Sequence, residues 1–152
     1  MRTGSKPTEP TAALAAAWTQ FLSRYPWRLF LTLTHRSYTT KPDKARRAVR
    51  LMIARCNDEL YGLRWYRRNQ GLIWVLANET TKLGALHHHM LIGGDRVEDL
   101  NCKMIENIWS SLAGIGKVER IRSTRRVCRY VSKCCNKGEI ELSESVEAFQ
   151  RR

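Results

Sequence analysis

The feature that most constrains the fold is a pair of apolar runs, the second of which follows three consecutive histidines. The first run covers residues 72–77, and the second is Met90-Leu91-Ile92, directly after His87-His88-His89. The polar residues between them contain Gly84, which can adopt the positive φ that tight turns require. This pattern predicts a β-hairpin over residues 72–92 with the histidines on its second strand.

Side chains alternate between the two faces of a strand, so His87 and His89 should share one face and His88 should point to the other. Folding the hairpin brings Glu79, at the end of the first run, back beside these histidines. Two imidazoles and one carboxylate suit a divalent cation such as Mn²⁺ or Mg²⁺. Two alternatives stay open here: a solvated strand end, or a zinc site completed by cysteines from elsewhere.

Composition limits the class of protein. A length of 152 residues predicts one domain, and a net charge of +13 indicates an anionic partner, with nucleic acid ahead of an acidic membrane surface. No apolar run is long enough to span a bilayer and no signal-peptide pattern is present, so we expect a cytoplasmic protein. The five cysteines show no CxxC spacing, which favours free thiols in a reducing compartment.

The remaining residues alternate between helical and strand patterns on either side of the hairpin. Residues 1–10 are rich in Gly and Pro and predict a disordered start. The predicted elements are a helix over 11–25, a strand over 27–34, a helix from Thr40 that Gly62 ends, the hairpin, a helix over 97–112 that starts at a capping box of Asp95 and Glu98 and is closed by Gly114 and Gly116, a strand over 117–122, and a helix from Ser123 or Thr124 to Asn136 or Lys137.

The last predicted helix and the residues before it are the most basic part of the chain. From Lys117 to Lys137 there are eight basic residues and one acidic residue, whereas the tail after Gly138 is acidic. We therefore expect this region to contact DNA phosphates. The predicted DNA-binding residues are Arg122, Arg125, Arg126, Arg129 and Lys137.

Tyr130 and Lys133 lie three residues apart on this helix, so their side chains share one face with Cys134. A phenol has a pKa near 10. A nearby ammonium and a metal-polarised phosphate favour phenolate formation and attack on phosphorus. The product is a covalent phosphotyrosine, which conserves the bond energy needed to rejoin the strand. Alone, a helical Tyr-x-x-Lys is a weak motif, because most helical tyrosines pack in the core.

Taken in order, three segments resemble the motifs of HUH endonucleases of the rolling-circle replication initiator (Rep) type with a single catalytic tyrosine. Phe30-Leu31-Thr32-Leu33-Thr34 resembles the first motif and His87-His88-His89 the second. Tyr130-Val131-Ser132-Lys133 resembles the third. The chain departs from the pattern at His88, where the family usually has an apolar residue. It departs again at Cys134, where many members carry a second tyrosine; we expect this thiol to pack.

The resemblance implies an α+β fold, with a five-stranded antiparallel sheet flanked by helices on the RRM/ferredoxin-like plan. Residues 11–142 would form the nuclease domain and residues 143–152 a C-terminal tail. The implied metal ligands, for Mn²⁺ or Mg²⁺, are Glu79, His87 and His89. Tyr130 would be the nucleophile, assisted by Lys133.

The implied activity is sequence-specific nicking of single-stranded DNA, as a strand or a hairpin, at the replication origin of a plasmid or phage. No GxxxxGK[ST] motif occurs, so unwinding would fall to a host helicase. A single-tyrosine transposase with the same chemistry and a non-catalytic RRM-like nucleic-acid-binding module remain alternatives. A relaxase is disfavoured, because its tyrosine usually lies near the N-terminus. The enzyme interpretation requires Tyr130 to lie on the same face of the sheet as His87 and His89.

Overall fold

A computed structural model describes residues 12–37, 41–135 and 140–143. The predicted disordered start, Lys137 and the tail after Ser143 lie outside these residues. The helices of the described part are α1 (Ala12–Leu22), α2 (Pro42–Tyr61), α3 (Cys102–Leu112) and α4 (Thr124–Cys135). Its strands are β1 (Trp27–His35), β2 (Ile73–Thr80), β3 (Leu86–Gly93), β4 (Gly114–Arg120) and β5 (Ile140–Leu142). None of these helices combines the length and apolar character needed to cross a membrane.

The strands form one antiparallel sheet in the order β4-β1-β3-β2-β5. This confirms the predicted α+β fold with a five-stranded sheet. The predicted hairpin is also confirmed, because β2 pairs with β3 in a register that sets Glu79 opposite His87 and Ala77 opposite His89. Gly84 adopts a φ of +83° in the connecting turn, as its position predicts.

Helices α2 and α3 cover one face of the sheet. Leu29, Leu31 and Leu33 of β1 are fully buried in this layer, as their alternation predicts. Pro42 begins α2 and Gly62, with a φ of +76°, follows its last residue. The apolar stripe of α2 is buried in full: Val49, Met52, Ile53, Cys56 and Leu60.

Helices α1 and α4 cover the other face, where they pack on β2 and β3. Their apolar side chains form a second core with Ile73, Val75 and Leu91. Thr19 Oγ1 of α1 donates a hydrogen bond of 2.9 Å to Ser132 Oγ of α4. This packing fixes the C-terminal half of α4 over the central strands.

The helix predicted from the capping box at Asp95 begins later, so its predicted start is wrong. A short 3₁₀ turn, Val97–Asp99, is followed by Leu100 in an extended conformation that interrupts the helix. α3 begins after Asn101, whose Oδ1 accepts a hydrogen bond of 3.1 Å from the backbone N–H of Met104. Because Leu100 is buried in the same core as α3, the apolar spacing continues across the break and resembles that of one helix.

The two glycines predicted to end this helix belong instead to β4. Gly114 is the first residue of β4 and pairs with His35 of β1. A Cβ at Gly114 would lie 2.0 Å from the backbone oxygen of Thr34, so only glycine permits this approach of the two strands. Gly116 packs against the ring of Trp109, where a Cβ would lie 3.1 Å away.

We expect Gly114→Ala to lower the free energy of unfolding by at least about 2 kcal/mol, because the clash is with backbone and one strand must move. Chemical denaturation would measure the change. Ile115→Ala is a suitable control, since its side chain is 76% exposed in the same strand, and it should cost no more than about 1 kcal/mol. Equal effects of the two variants would contradict this role of Gly114.

Candidate active site

Glu79, His87 and His89 converge at the end of the β2–β3 hairpin, as predicted. Glu79 Oε2 lies 2.7 Å from His87 Nε2 and 3.2 Å from His89 Nε2. The carboxylate can only accept, so both imidazoles donate from Nε2 to the same oxygen. His89 is 5% exposed, whereas Glu79 and His87 reach solvent at the rim.

The three side chains perturb one another's protonation. Burial of the Glu79 carboxylate acts to raise its pKa, but the hydrogen bond from His87, the charges of His89 and His87 and a hydrogen bond from Cys134 outweigh burial and hold the pKa below its ordinary value. Burial lowers the pKa of His89, and the nearby Glu79 only partly offsets this effect. The cluster therefore presents a carboxylate and a neutral His89 imidazole at neutral pH, the protonation states that cation binding needs.

The donor set fits a divalent cation. Within the described residues, the Nδ1 atoms of His87 and His89 are buried without a hydrogen-bond partner, so the ring positions are set by their Nε2 contacts with Glu79. Ligand atoms of Glu79, His89 and Cys134 all lie within 4.8 Å of one another and could hold a metal ion. The sequence predicted Glu79, His87 and His89 as the ligands and Cys134 as a packing residue; the structure adds this thiol to the cluster.

Tyr130 of α4 lies on the same side of the sheet as this cluster. Its ring centroid is 5.3 Å from that of His89 and 5.7 Å from that of Phe30, in edge-to-face geometry in both cases. The Tyr130 side chain is 48% exposed, so its hydroxyl is accessible to a large substrate. Burial raises the pKa of Tyr130, and the nearby Cys134 and Glu79 raise it further, so the phenol is protonated at neutral pH.

Lys133 follows Tyr130 by one turn of α4 and is exposed. Its side chain makes no ion pair with any of the described residues. Its ammonium is therefore available to an incoming anion next to the phenol.

A cavity of about 830 Å³ opens beside Tyr130, between α4 and the edge of the sheet. Arg122 and Arg126 line it together with the rings of Phe30 and Tyr130. Of the other predicted DNA-binding residues, Arg125 and Arg129 are exposed on α4 but do not line this cavity, and Lys137 is outside the described residues. The combination of guanidinium groups and aromatic rings is typical of single-stranded nucleic-acid sites.

The sheet itself extends this surface, because its α4 side is only partly covered at β1 and β4. The pairing registers place Lys117, Thr32 and His89 in one cross-strand row, and Ile115, Thr34 and His87 in the next. Thr34, Ile115 and Lys117 are exposed and Thr32 is half-buried. A bare strip about two strands wide therefore leads from the edge strand β4 to the two histidines.

His88 points to the opposite face, as predicted, and belongs to a separate polar chain. Its Nδ1 lies 2.6 Å from Asn78 Oδ1, and its Nε2 lies 2.7 Å from His35 Nε2. With the side-chain oxygen of Asn78 as the acceptor, His88 donates from Nδ1 and accepts at Nε2 from His35. The sequence left open whether His88 could replace a metal-binding histidine; its partners here are His35 and Asn78.

This buried imidazole predicts a loss of stability in acid. Burial lowers the pKa of His88 from 6.5 to about 3, with smaller contributions from His35, His87 and His89. Between these pH values the unfolded chain binds a proton that the folded chain does not. The free energy of unfolding should therefore fall by up to about 1.4 kcal/mol per pH unit as the pH drops through this window.

The replacement His88→Gln removes this titration, so its stability should vary less between pH 6.5 and 3. Chemical denaturation of chelator-treated protein across this range would compare the two slopes. Equal slopes would mean that His88 is not held neutral in the fold.

A family model described as replication-associated protein, of the ORF2 type, matches residues 28–139. This chain belongs to that replication-associated protein family. The matched region runs from β1 past the end of α4 and so includes the whole cluster, Tyr130 and the cavity. Membership supports a role in replication initiation, in agreement with the resemblance seen in the sequence. No curated protein and no solved structure matches the chain.

Sequence reasoning missed three contributors to the site of this replication-associated protein. Phe30 was predicted only as a strand residue, yet its ring stacks on His89 with centroids 5.9 Å apart. Arg120 lines the cavity, although its guanidinium is bound to the backbone oxygens of Glu98 and Leu100. Cys134 joins the metal-ligating cluster; its position four residues after Tyr130 was the available signal.

Proposed function

We propose that this chain is a metal-dependent, sequence-specific endonuclease and strand transferase of the HUH type with a single catalytic tyrosine. It would nick single-stranded DNA through a 5′-phosphotyrosine intermediate and so initiate rolling-circle replication of a plasmid or phage. The observation that carries the proposal is the position of Tyr130, whose ring lies 5.3 Å from that of His89 beside Glu79 and His87.

In this proposal Glu79, His87 and His89 hold one Mn²⁺ or Mg²⁺ ion. When bound, the ion neutralises charge on the non-bridging phosphate oxygens and on Glu79 and so favours ionisation of the nearby phenol. Phe30 stacks on the His89 ring and limits its rotation. His87 and His89 reach the ion from one rigid strand, so their spacing is set by the pleat of β3.

The chemical step is a displacement at phosphorus. The Tyr130 oxygen forms a bond to phosphorus, the bond from phosphorus to the 3′ oxygen breaks, and the phenolic proton passes to solvent, which reaches this half-exposed side chain. The products are a 5′-phosphotyrosine and a strand that ends in a 3′-hydroxyl. The ammonium of Lys133 stabilises negative charge on the phenolate and on the departing oxygen. Attack by a 3′-hydroxyl on the phosphotyrosine reverses the step and rejoins the strand.

The charged cavity and the bare strip supply a path for the substrate on each side of Tyr130. Arg122 and Arg126 would contact phosphates, and Phe30 offers a ring to a base. Thr32 and Lys117 lie on the strip beside His89 and offer polar contacts to the other side of the scissile phosphate. A basic surface that reads unpaired bases is consistent with single-stranded DNA as the substrate.

The decisive experiment combines the full chain, Mn²⁺ and end-labelled single-stranded DNA that contains the replication origin. We expect a nick at one position, a new 3′-hydroxyl end, and a protein whose mass increases by the 5′ fragment at Tyr130. EDTA should suppress all three. A nick without the adduct, or an adduct on another residue, would contradict the proposed mechanism.

A non-catalytic nucleic-acid-binding module is the second candidate, and the bare strip beside a basic cavity supports it because neither feature needs a metal. Such a module would bind the same DNA with no nick and no adduct. A single-tyrosine transposase would form the same adduct. It would be distinguished by transfer of the held strand to a new target rather than by religation at an origin.

We expect the double substitution Arg122→Ala/Arg126→Ala to weaken binding of single-stranded DNA by roughly tenfold at 0.1 M salt. Each lost phosphate contact should also reduce the slope of log affinity against log salt by about 0.7. Fluorescence anisotropy over a salt series would measure both quantities.

The matched control for these arginines is Lys44→Ala/Arg47→Ala, which removes two exposed cations from α2 on the opposite layer. Its affinity and salt slope should stay near those of the natural chain. Equal losses in the two double variants would mean that binding follows net charge and does not depend on the cavity.

A further inference from the structure

The cluster beside Tyr130 contains a thiol that the proposed function does not use. Cys134 lies on α4, is 4% exposed, and donates a hydrogen bond that helps to lower the pKa of Glu79. Ligand atoms of Cys134, Glu79 and His89 lie within 4.8 Å of one another. Among the described residues this is the only group of three such side chains that close together.

The chemistry of these donors differs from that of the set proposed for catalysis. Glu79, His87 and His89 offer only nitrogen and oxygen, which suit Mn²⁺. Replacing His87 by Cys134 adds a soft sulfur donor, and zinc prefers mixed sulfur and nitrogen ligands in a compact tetrahedral site. The near-complete burial of both His89 and Cys134 would shield such a site from water.

We propose that Glu79, His89 and Cys134 form a zinc site that overlaps the catalytic metal site and competes with it. Binding of Zn²⁺ displaces the thiol proton into solvent and forms a zinc–thiolate bond, with no redox change. Because Glu79 and His89 belong to both ligand sets, the two ions exclude each other. Zinc thus acts as an inhibitor of the nicking activity, and this part of the inference rests on the proposed function.

Other cysteines provide an internal comparison. Cys102 is half-buried on α3, which covers the opposite face of the sheet from Cys134. Cys56 is buried in that same opposite layer, where burial raises the pKa of its thiol to about 12. Neither thiol lies in a group of metal donors among the described residues. Cys102→Ser is therefore the matched control for Cys134→Ser.

The test uses Co²⁺ as a spectroscopic substitute for Zn²⁺ in the full chain. We expect Co²⁺ to produce a sulfur-to-cobalt charge-transfer band in the near ultraviolet, and stoichiometric Zn²⁺ to abolish it. The band should persist in Cys102→Ser and disappear in Cys134→Ser. Absence of the band in the natural chain, or its persistence in Cys134→Ser, would overturn the zinc site. If Cys134→Ser does not fold, Cys134→Ala provides the same comparison, with unfolding monitored in EDTA.

Competition is measured separately, by titrating Zn²⁺ into nicking reactions supported by Mn²⁺ and normalising each protein to its own zinc-free rate. Half-inhibition of Cys134→Ser should require at least about 100-fold more Zn²⁺ than the natural chain, since a direct ligand is lost. Equal sensitivity of the two proteins would overturn the competition. A chain that never nicks would refute the proposed function, whereas the cobalt band would still decide whether Cys134 binds the ion.

Discussion

Replacing Tyr130 with phenylalanine should abolish strand cleavage and the covalent adduct while leaving the affinity for single-stranded DNA within about twofold. The substitution removes only the oxygen that would attack phosphorus. The ring remains and keeps its edge contacts with His89 and Phe30, so the cluster and the cavity should keep their shape. We expect the nicking rate to fall by at least about 10⁴-fold, because no other group supplies the nucleophile.

The matched control is Tyr66→Phe, since Tyr66 is 60% exposed in the 3₁₀ turn after α2 and is far from the cluster in the sequence. It should nick at the natural rate. Gel assays of labelled DNA and mass spectrometry of the protein would follow the two products separately. Residual nicking by Tyr130→Phe above a hundredth of the natural rate would indicate attack by water or by another side chain, and the phosphotyrosine mechanism would be wrong.

The parts of this site that the sequence predicted depend on local geometry. Alternation along β3 separates His87 and His89 from His88 whatever the strand packs against, and the short loop with Gly84 sets which residue of β2 returns beside them. The same local periodicity predicted the leucine face of β1. It also predicted the buried stripe of α2.

The parts that were missed depend on contacts between residues far apart in the chain. Cys134 enters the cluster only because α4 packs over β2 and β3, an arrangement that helical periodicity does not specify. The contact between His35 and His88 joins residues of two different strands, and nothing in either local pattern announces it. The late start of α3 has a related cause, since Leu100 is buried by the same core and keeps the apolar spacing without being helical.

His87→Ala and His89→Ala should each reduce Mn²⁺-dependent nicking below detection while sparing most of the salt-sensitive DNA affinity. Each variant removes one nitrogen from the ligand set around Glu79, whereas the phosphate-contacting arginines lie on α4 and in the segment before it. Calorimetric titration with Mn²⁺ should show a loss of affinity of at least about 100-fold in both variants. The two losses need not be equal, because His89 also stacks on Phe30 and contacts Tyr130.

His35→Gln is the matched control for the two histidine variants, since His35 contacts His88 on the opposite face and its side chain does not face Glu79. It should bind Mn²⁺ with the natural affinity and nick at a rate within about threefold of the natural chain. A parallel loss of DNA binding and nicking in His87→Ala would contradict separate roles for the metal cluster and the arginines. If His35→Gln lost Mn²⁺ as completely as His87→Ala, the ion would depend on the other face of β3, and Tyr130 would no longer lie beside it.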